Sequence, residues 1–126
     1  RHIANCRESG RQSMVMEVSS QALKYQRVEN LPFDVACFLN IGRDHISPIE
    51  HPTFEDYFES KLRIFDQAKT AVVNLGTDEV DRVLEAASTA ERLVTVGVEH
   101  PEASLWASPN CVCRAVWRSW SRRTAA

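Results

Sequence analysis

Three residues stand where their chemical type is costly unless it does something. Glu17 closes the apolar run Met14-Val15-Met16, and His45 follows Asp44 just past a second apolar run. Lys61 interrupts a series of phenylalanines, with Phe54, Phe58, Lys61 and Phe65 at i, i+4, i+7 and i+11, one stripe of a helix. A carboxylate at the end of a buried strand must be paired, hydrogen-bonded or bound to a cation. Glu17 therefore reads either as half of a strand-end ion pair with an arginine or as an oxygen ligand for a hard cation such as Mg²⁺. His45 is a weaker ligand candidate alone, because Mg²⁺ takes imidazole less readily than carboxylate, and it gains weight beside Glu17. Lys61 allows two readings. Its stem can lie along the apolar face while the ammonium reaches solvent. Alternatively, a lysine held near a site and driven toward the neutral amine can add CO₂ and become a carbamate, exchanging a cation for a carboxylate-like group. Ser19, Ser20, Arg27 and Arg43 are further hydroxyl and anion contacts; Cys111 and Cys113 form a lone C-x-C with no second metal-binding pair.

These groups need a frame. Four runs read as buried strands: Met14–Val18, Val35–Ile41, Thr70–Leu75 and Leu93–Val98, each nearly continuous in apolar residues, as in strands covered on both faces. Two helical patterns lie between the later runs. Thr53–Ala68 follows Pro52, with Thr53 as N-cap and Glu55 and Asp56 in the first turn; Thr77–Ala87 follows Gly76. The polar first dozen residues read as the end of an incomplete helix. Strand alternating with helix predicts an α/β fold with a parallel sheet, and in such sheets ligands bind beyond the carboxyl ends of the strands. The first two strands would deliver Glu17-Val18-Ser19-Ser20 and Asn40-Ile41-Gly42-Arg43-Asp44-His45 to that edge.

Composition narrows the classes. At 126 residues, 44% hydrophobic and 25% charged, the chain has the make-up of one globular domain. Its longest apolar run, Val35 to Leu39, is far shorter than the ~20 residues of a bilayer span. No secretory signal pattern opens it, and four cysteines without framework spacing suit a reduced, cytoplasmic setting. The net charge of −2 is divided. Residues 1–105 carry eleven Lys/Arg against seventeen Asp/Glu, a poor surface for nucleic acid, whereas residues 106–126 hold four arginines, no acids and all three tryptophans. With four glycines and no G-x-x-x-x-G-K-[ST], there is no phosphate-cradling loop.

The series Met16-Glu17-Val18-Ser19-Ser20-Gln21-Ala22-Leu23, then Arg27-Val28, then Phe33 to His45 (FDVACFLNIGRDH), then Tyr57 and Ser60 to Phe65 (SKLRIF), closely resembles the central domain of the Mur ligases. The resemblance runs from about residue 12 to residue 100 and is strongest to the branch that extends UDP-N-acetylmuramoyl-L-alanyl-D-glutamate. It implies a partial P-loop-NTPase-like parallel sheet and a cytoplasmic bacterial enzyme: an ATP-dependent amide ligase of peptidoglycan synthesis that works with Mg²⁺ through an acyl phosphate. It also implies roles. Glu17 and His45 would be metal ligands, Lys61 the carbamylated lysine, Ser19 and Arg27 contacts to the muramyl nucleotide, and Asn40 a residue beside nucleotide and metal. The partners implied are a UDP-N-acetylmuramoyl peptide and an amino acid, with no nucleic acid and no membrane.

Departures from the pattern are specific. Tyr25 stands where the family often has Gln, with Gln26 beside it, and Ile46–Phe54 (ISPIEHPTF) is about two residues longer than the common D-H-L-D-Y-H-G form. The family's P-loop is expected before residue 1 and its amino-acid-selecting domain after residue 126. Residues 1–110 therefore read as the C-terminal part of a central domain that is inactive alone and self-associates through open sheet edges. Residues 111–126 read as a basic Trp/Arg tail arising from a lost coding frame, or else as a divergent extension. Folylpolyglutamate or cyanophycin synthetases, and a non-catalytic muramyl-nucleotide-binding or assembly module, are the competing readings. Lys61→Ala separates the two accounts of the lysine. We expect circular dichroism to show an intact fold and Mg²⁺ titration to show lost binding; unchanged Mg²⁺ binding would return Lys61 to a snorkelling role.

Overall fold

The structure, a computed structural model, describes residues 2–42, 46, 47 and 50–108. Helix α1 spans His2–Glu8 and buries no residue; Gly10, at φ +68°, takes the left-handed turn that ends it. Helix α2, Ser20–Lys24, is a single turn capped by Ser19, whose hydroxyl accepts from the Ala22 N–H at 3.1 Å. Strand β1 is Phe33–Phe38, and helix α3, Phe54–Leu62, tightens into a 3-10 turn over Arg63–Gln67. Strand β2 (Ala68–Asn74), helix α4 (Val80–Ala87), strand β3 (Arg92–Val98) and strand β4 (Leu105–Ala107) complete the order. The sheet order is β1-β2-β3-β4 and every pairing is parallel.

Parallel neighbours require the intervening chain to cross over the sheet. Helices α3 and α4 are those crossovers, and both join one core. Ala36 and Phe38 from β1 and Ala71 and Val73 from β2 meet Tyr57, Phe58, Phe65, Val83 and Ala87. Rings supply much of the contact: Phe54 stacks on Phe58 at 5.8 Å and Phe38 lies 6.1 Å from Phe65. The α3 N-terminus forms as its sequence predicts, with the Thr53 hydroxyl accepting from the Asp56 N–H at 3.1 Å and Glu55 and Asp56 in the first turn.

Several expectations are corrected. Met14–Val18 is not a strand: it has no ladder partner among the described residues, and Val15 is fully exposed. An apolar run becomes a strand only when a neighbour completes its hydrogen bonds. Strands β1 and β2 are covered on one face rather than two. Burial alternates along them, leaving Val35 and Cys37 on the open side. The α-helix of the 53–68 segment stops at Leu62, because Ala68 is already paired with Phe33 in the sheet. Helix α4 begins at Val80, since Gly76 and Thr77 are spent in a turn on Asn74 and Glu79 adopts φ +55°.

Strand β4 is absent from the sequence reading. Only residues 99–104 link it to β3, far fewer than the dozen or more usual for a parallel connection. The short return is held by Thr95 and Ser104, each of whose hydroxyls accepts from the other's N–H, at 3.2 and 2.8 Å. It passes so close to β3 that a Cβ on Gly97 would stand 2.7 Å from the His100 Cβ.

Phe58 is fully buried between α3, α4 and the sheet. Phe58→Ala should cost about 3–5 kcal/mol, read as a shifted denaturant midpoint; a loss below ~1 kcal/mol would mean that this core is not the one that holds the fold.

Candidate functional site

Strand β1 ends by delivering Leu39 and Asn40 to the carboxyl edge, where Ile41 is buried as an anchor and Asn40 is exposed. The edge is cross-braced, for the Asn74 amide at the end of β2 donates to the Leu39 carbonyl at 2.8 Å. A depression beside it, about 180 Å³, is lined by Ile41, Gly42, Phe54, Asp78 and Glu79. Arg43, Asp44 and His45 lie outside the described residues, so the His45 expectation has no structural counterpart here.

The other sequence-derived candidates fall in different settings. Glu17 is exposed on the unpaired segment before α2, not buried at a strand end, and it makes no ion pair among the described residues. The need for an arginine partner therefore disappears, and its carboxylate oxygens stay open to a cation. Ser19 accepts the α2 cap bond through its hydroxyl oxygen and keeps its own O–H to donate. Arg27 is exposed, with its guanidinium 5.7 Å from the centre of the Tyr25 ring, the very residue that departs from the family pattern. Lys61 is half-buried near the end of α3, and its ammonium lies 5.2 Å from the centre of the Tyr57 ring one turn back. Among the described residues, no three His, Cys, Asp or Glu side chains gather as a metal-binding group.

A polar cluster that the sequence reading missed lies between α2 and α3. His51 is fully buried, with Nδ1 2.6 Å from Asp56 Oδ2 and Nε2 2.9 Å from Ser20 Oγ. The Lys24 ammonium donates to the same Asp56 oxygen at 2.6 Å and to the Glu50 carbonyl at 3.3 Å. An ionised carboxylate only accepts, so the His51 Nδ1 carries the proton that faces Asp56. The Asp56 carboxyl is held below its ordinary range, first by the Lys24 hydrogen bond and then by that of His51. Serine, histidine and aspartate here have the order of a nucleophilic relay. However, His51 has no exposed surface, and the depression lined by Ile41, Gly42, Phe54, Asp78 and Glu79 includes none of the three. The cluster holds structure rather than meeting substrate. The sequence did carry one signal for it: a histidine set just before a proline and an N-cap threonine, with an acid in the following turn.

Comparison with known proteins decides the family. The sequence model of the Mur ligase middle domain matches residues 1–117. This chain belongs to the Mur ligase family. It is 47% identical over 89 residues to the UDP-N-acetylmuramoyl-L-alanyl-D-glutamate--L-lysine ligase of Streptococcus suis (strain 05ZYH33), covering 71% of this chain and 18% of that one. It is 50% identical over 93 residues to the UDP-N-acetylmuramyl-tripeptide synthetase of Bifidobacterium longum (strain NCC 2705), covering 74% and 18%. Among solved structures, a UDP-N-acetylmuramoyl-L-alanyl-D-glutamate--2,6-diaminopimelate ligase superposes with a TM-score of 0.70 at 27% identity, over 79% of this chain and 21% of that one. The chain thus spans less than a fifth of the length of these curated Mur ligases. No helix among its described residues is long and apolar enough to cross a membrane.

The depressed Asp56 carboxyl sets a sign for pH. Its contribution is present above the ordinary carboxylate pKa of ~3.9 and is lost as pH falls through the lower folded value. Asp56→Asn should therefore lower stability at neutral pH and flatten the acid limb of a denaturation profile below about pH 4. An acid limb as steep as that of the parent would show that other carboxylates set it.

Proposed function

We propose that this Mur ligase chain is part of the central domain of an ATP-dependent amide ligase, cytoplasmic and bacterial, that adds an amino acid to a UDP-N-acetylmuramoyl peptide. The observation that carries this reading is identity of 47–50% over 89–93 residues to ligases of that substrate class, within a middle-domain match whose range, residues 1–117, includes every candidate site residue. In the proposed reaction the γ-phosphoryl group of ATP passes to the substrate carboxylate and ADP departs. The amino acid's amine then attacks the acyl carbon, forming the amide bond and releasing phosphate.

Each residue has a stated share in this reading. Ser19 and Arg27 bind the muramyl nucleotide, Arg27 through its exposed guanidinium, which suits phosphate or carboxylate oxygens. Asn40, exposed just past β1, orients groups at the carboxyl edge. Mg²⁺, which would offset charge on phosphate oxygens when bound, suits the open carboxylate of Glu17 as a hard oxygen donor, with His45 as its second ligand. Lys61 is the lysine that reacts with CO₂. Its neutral Nζ forms an N–C bond to the carbon, and a proton leaves to solvent. The Lys61 Nζ lies over the Tyr57 ring, and the carbamate forms where its new negative charge has a partner. Without a phosphate-cradling loop in its sequence, the 126-residue chain alone is expected to bind the muramyl nucleotide but not to turn over ATP.

Calorimetry on the 126-residue chain tests this. The UDP-muramyl dipeptide should bind, a folate should not displace it, and Arg27→Ala should weaken binding by about tenfold or more through loss of a charge-assisted contact. Preferential folate binding, or muramyl-nucleotide affinity indifferent to Arg27, would overturn the assignment of substrate or of residue.

A further inference from the structure

The buried His51 cluster has no part in the proposed reaction, yet it touches both elements that do. Ser20, next to Ser19, opens α2; Asp56 and Tyr57 lie in α3, one turn before Lys61. The His51 ring meets the Tyr57 ring edge-on at 5.3 Å and 61°, and Tyr57 in turn presents its ring to the Lys61 ammonium at 5.2 Å. Tyr57 is 2% exposed and His51 has no exposure, so neither ring has space to change rotamer freely.

We infer that His51 is a positioning residue, which locks the start of α2 to α3 and seats the Tyr57 ring beneath Lys61. A buried imidazole is costly unless both nitrogens are paired. Here both are paired, and to opposite sides: Nε2 to Ser20, 31 residues earlier, and Nδ1 to Asp56, five residues later. Two directional bonds across one rigid ring define a single orientation, which an apolar side chain of equal volume would not. Lys24 strengthens the arrangement by sharing the same Asp56 oxygen. The ring so fixed limits Tyr57 on one side, and Tyr57 fixes the ammonium on the other. The position of the lysine is thereby set at one remove by a contact between two distant parts of the chain. The consequence for catalysis rests on the reading of Lys61 given above; the clamp itself does not.

The clamp has a spectroscopic signature. With ¹³C-labelled lysine in the 126-residue chain, the Lys61 ε-methylene protons above the Tyr57 face should be shifted upfield. Tyr57→Phe should keep the shift and Tyr57→Leu should abolish it. His51→Leu and Ser20→Ala should each reduce it while far-UV circular dichroism stays that of the parent. A Lys61 resonance unmoved in folded Ser20→Ala and His51→Leu overturns the inference; Ser20→Ala, which removes one oxygen atom, decides the matter if His51→Leu does not fold. ¹³C-bicarbonate then separates the two readings. A carbamate signal should vanish in Lys61→Ala and fall several-fold in His51→Leu. If the parent gives no carbamate while its Lys61 shift still depends on His51, the carbamate assignment fails and the clamp stands.

Discussion

Parallel pairing of β1 with β2 is the constraint on which the rest depends. Phe33 opposite Ala68 and Phe38 opposite Val73 set the register, and the chain between them has to cross one face of the sheet. That crossing is α3, and its buried face is set by the residues that the sheet offers: Ala36, Phe38, Ala71 and Val73. Small alanines in the strands leave room for the large rings of Phe58 and Phe65, so helix and sheet interlock instead of resting flat on one another. Once Phe58 faces the sheet, the helical period sets Tyr57 beside it and Lys61 one turn further on, over the Tyr57 ring. The lysine's location is therefore a by-product of core packing, refined by polar contacts.

Those polar contacts solve a problem that the fold creates. Helix α2 has five residues, too few to be stable on its own propensity, and the segment before it has no ladder among the described residues. Leu23 and Val28 give it some apolar burial, but burial is not directional. Direction comes from Ser20, His51, Asp56 and Lys24, whose bonds join α2 to α3 at defined points. Exposed Ser19 and Glu17 lie immediately beside that anchored point. Anchoring one turn of helix this firmly gives the adjoining unpaired segment a fixed end.

The sheet is legible in outline because three of its strands are dense in β-branched or other apolar residues, and α3 because Thr53, Glu55 and Asp56 mark its start. The errors share a cause. Met14–Val18 has the composition of a strand but no neighbour to pair with among the described residues, while β4, only three residues long, exists because a neighbour is present. The α-helix after Thr53 was read too long because Ala68 and Lys69 suit a helix locally and yet belong to the sheet by pairing. His51 was passed over because nothing within a few residues of it predicts Ser20 as its partner.

The amino-acid sequence alone determined the α/β class, the order of the principal strands and helices, the family, and the residue types with chemical potential. These follow from local patterns of period 2 and 3.6 and from short motifs, which need no knowledge of the remainder of the chain. Only the tertiary structure decided that one face of the sheet is covered, that Glu17 is exposed, that Lys61 rests on Tyr57, and that Ser20, His51, Asp56 and Lys24 form one cluster. The physical reason is range. A hydrogen bond between residues 31 apart depends on how the whole chain packs, and the local sequence around His51 does not name Ser20 as its partner.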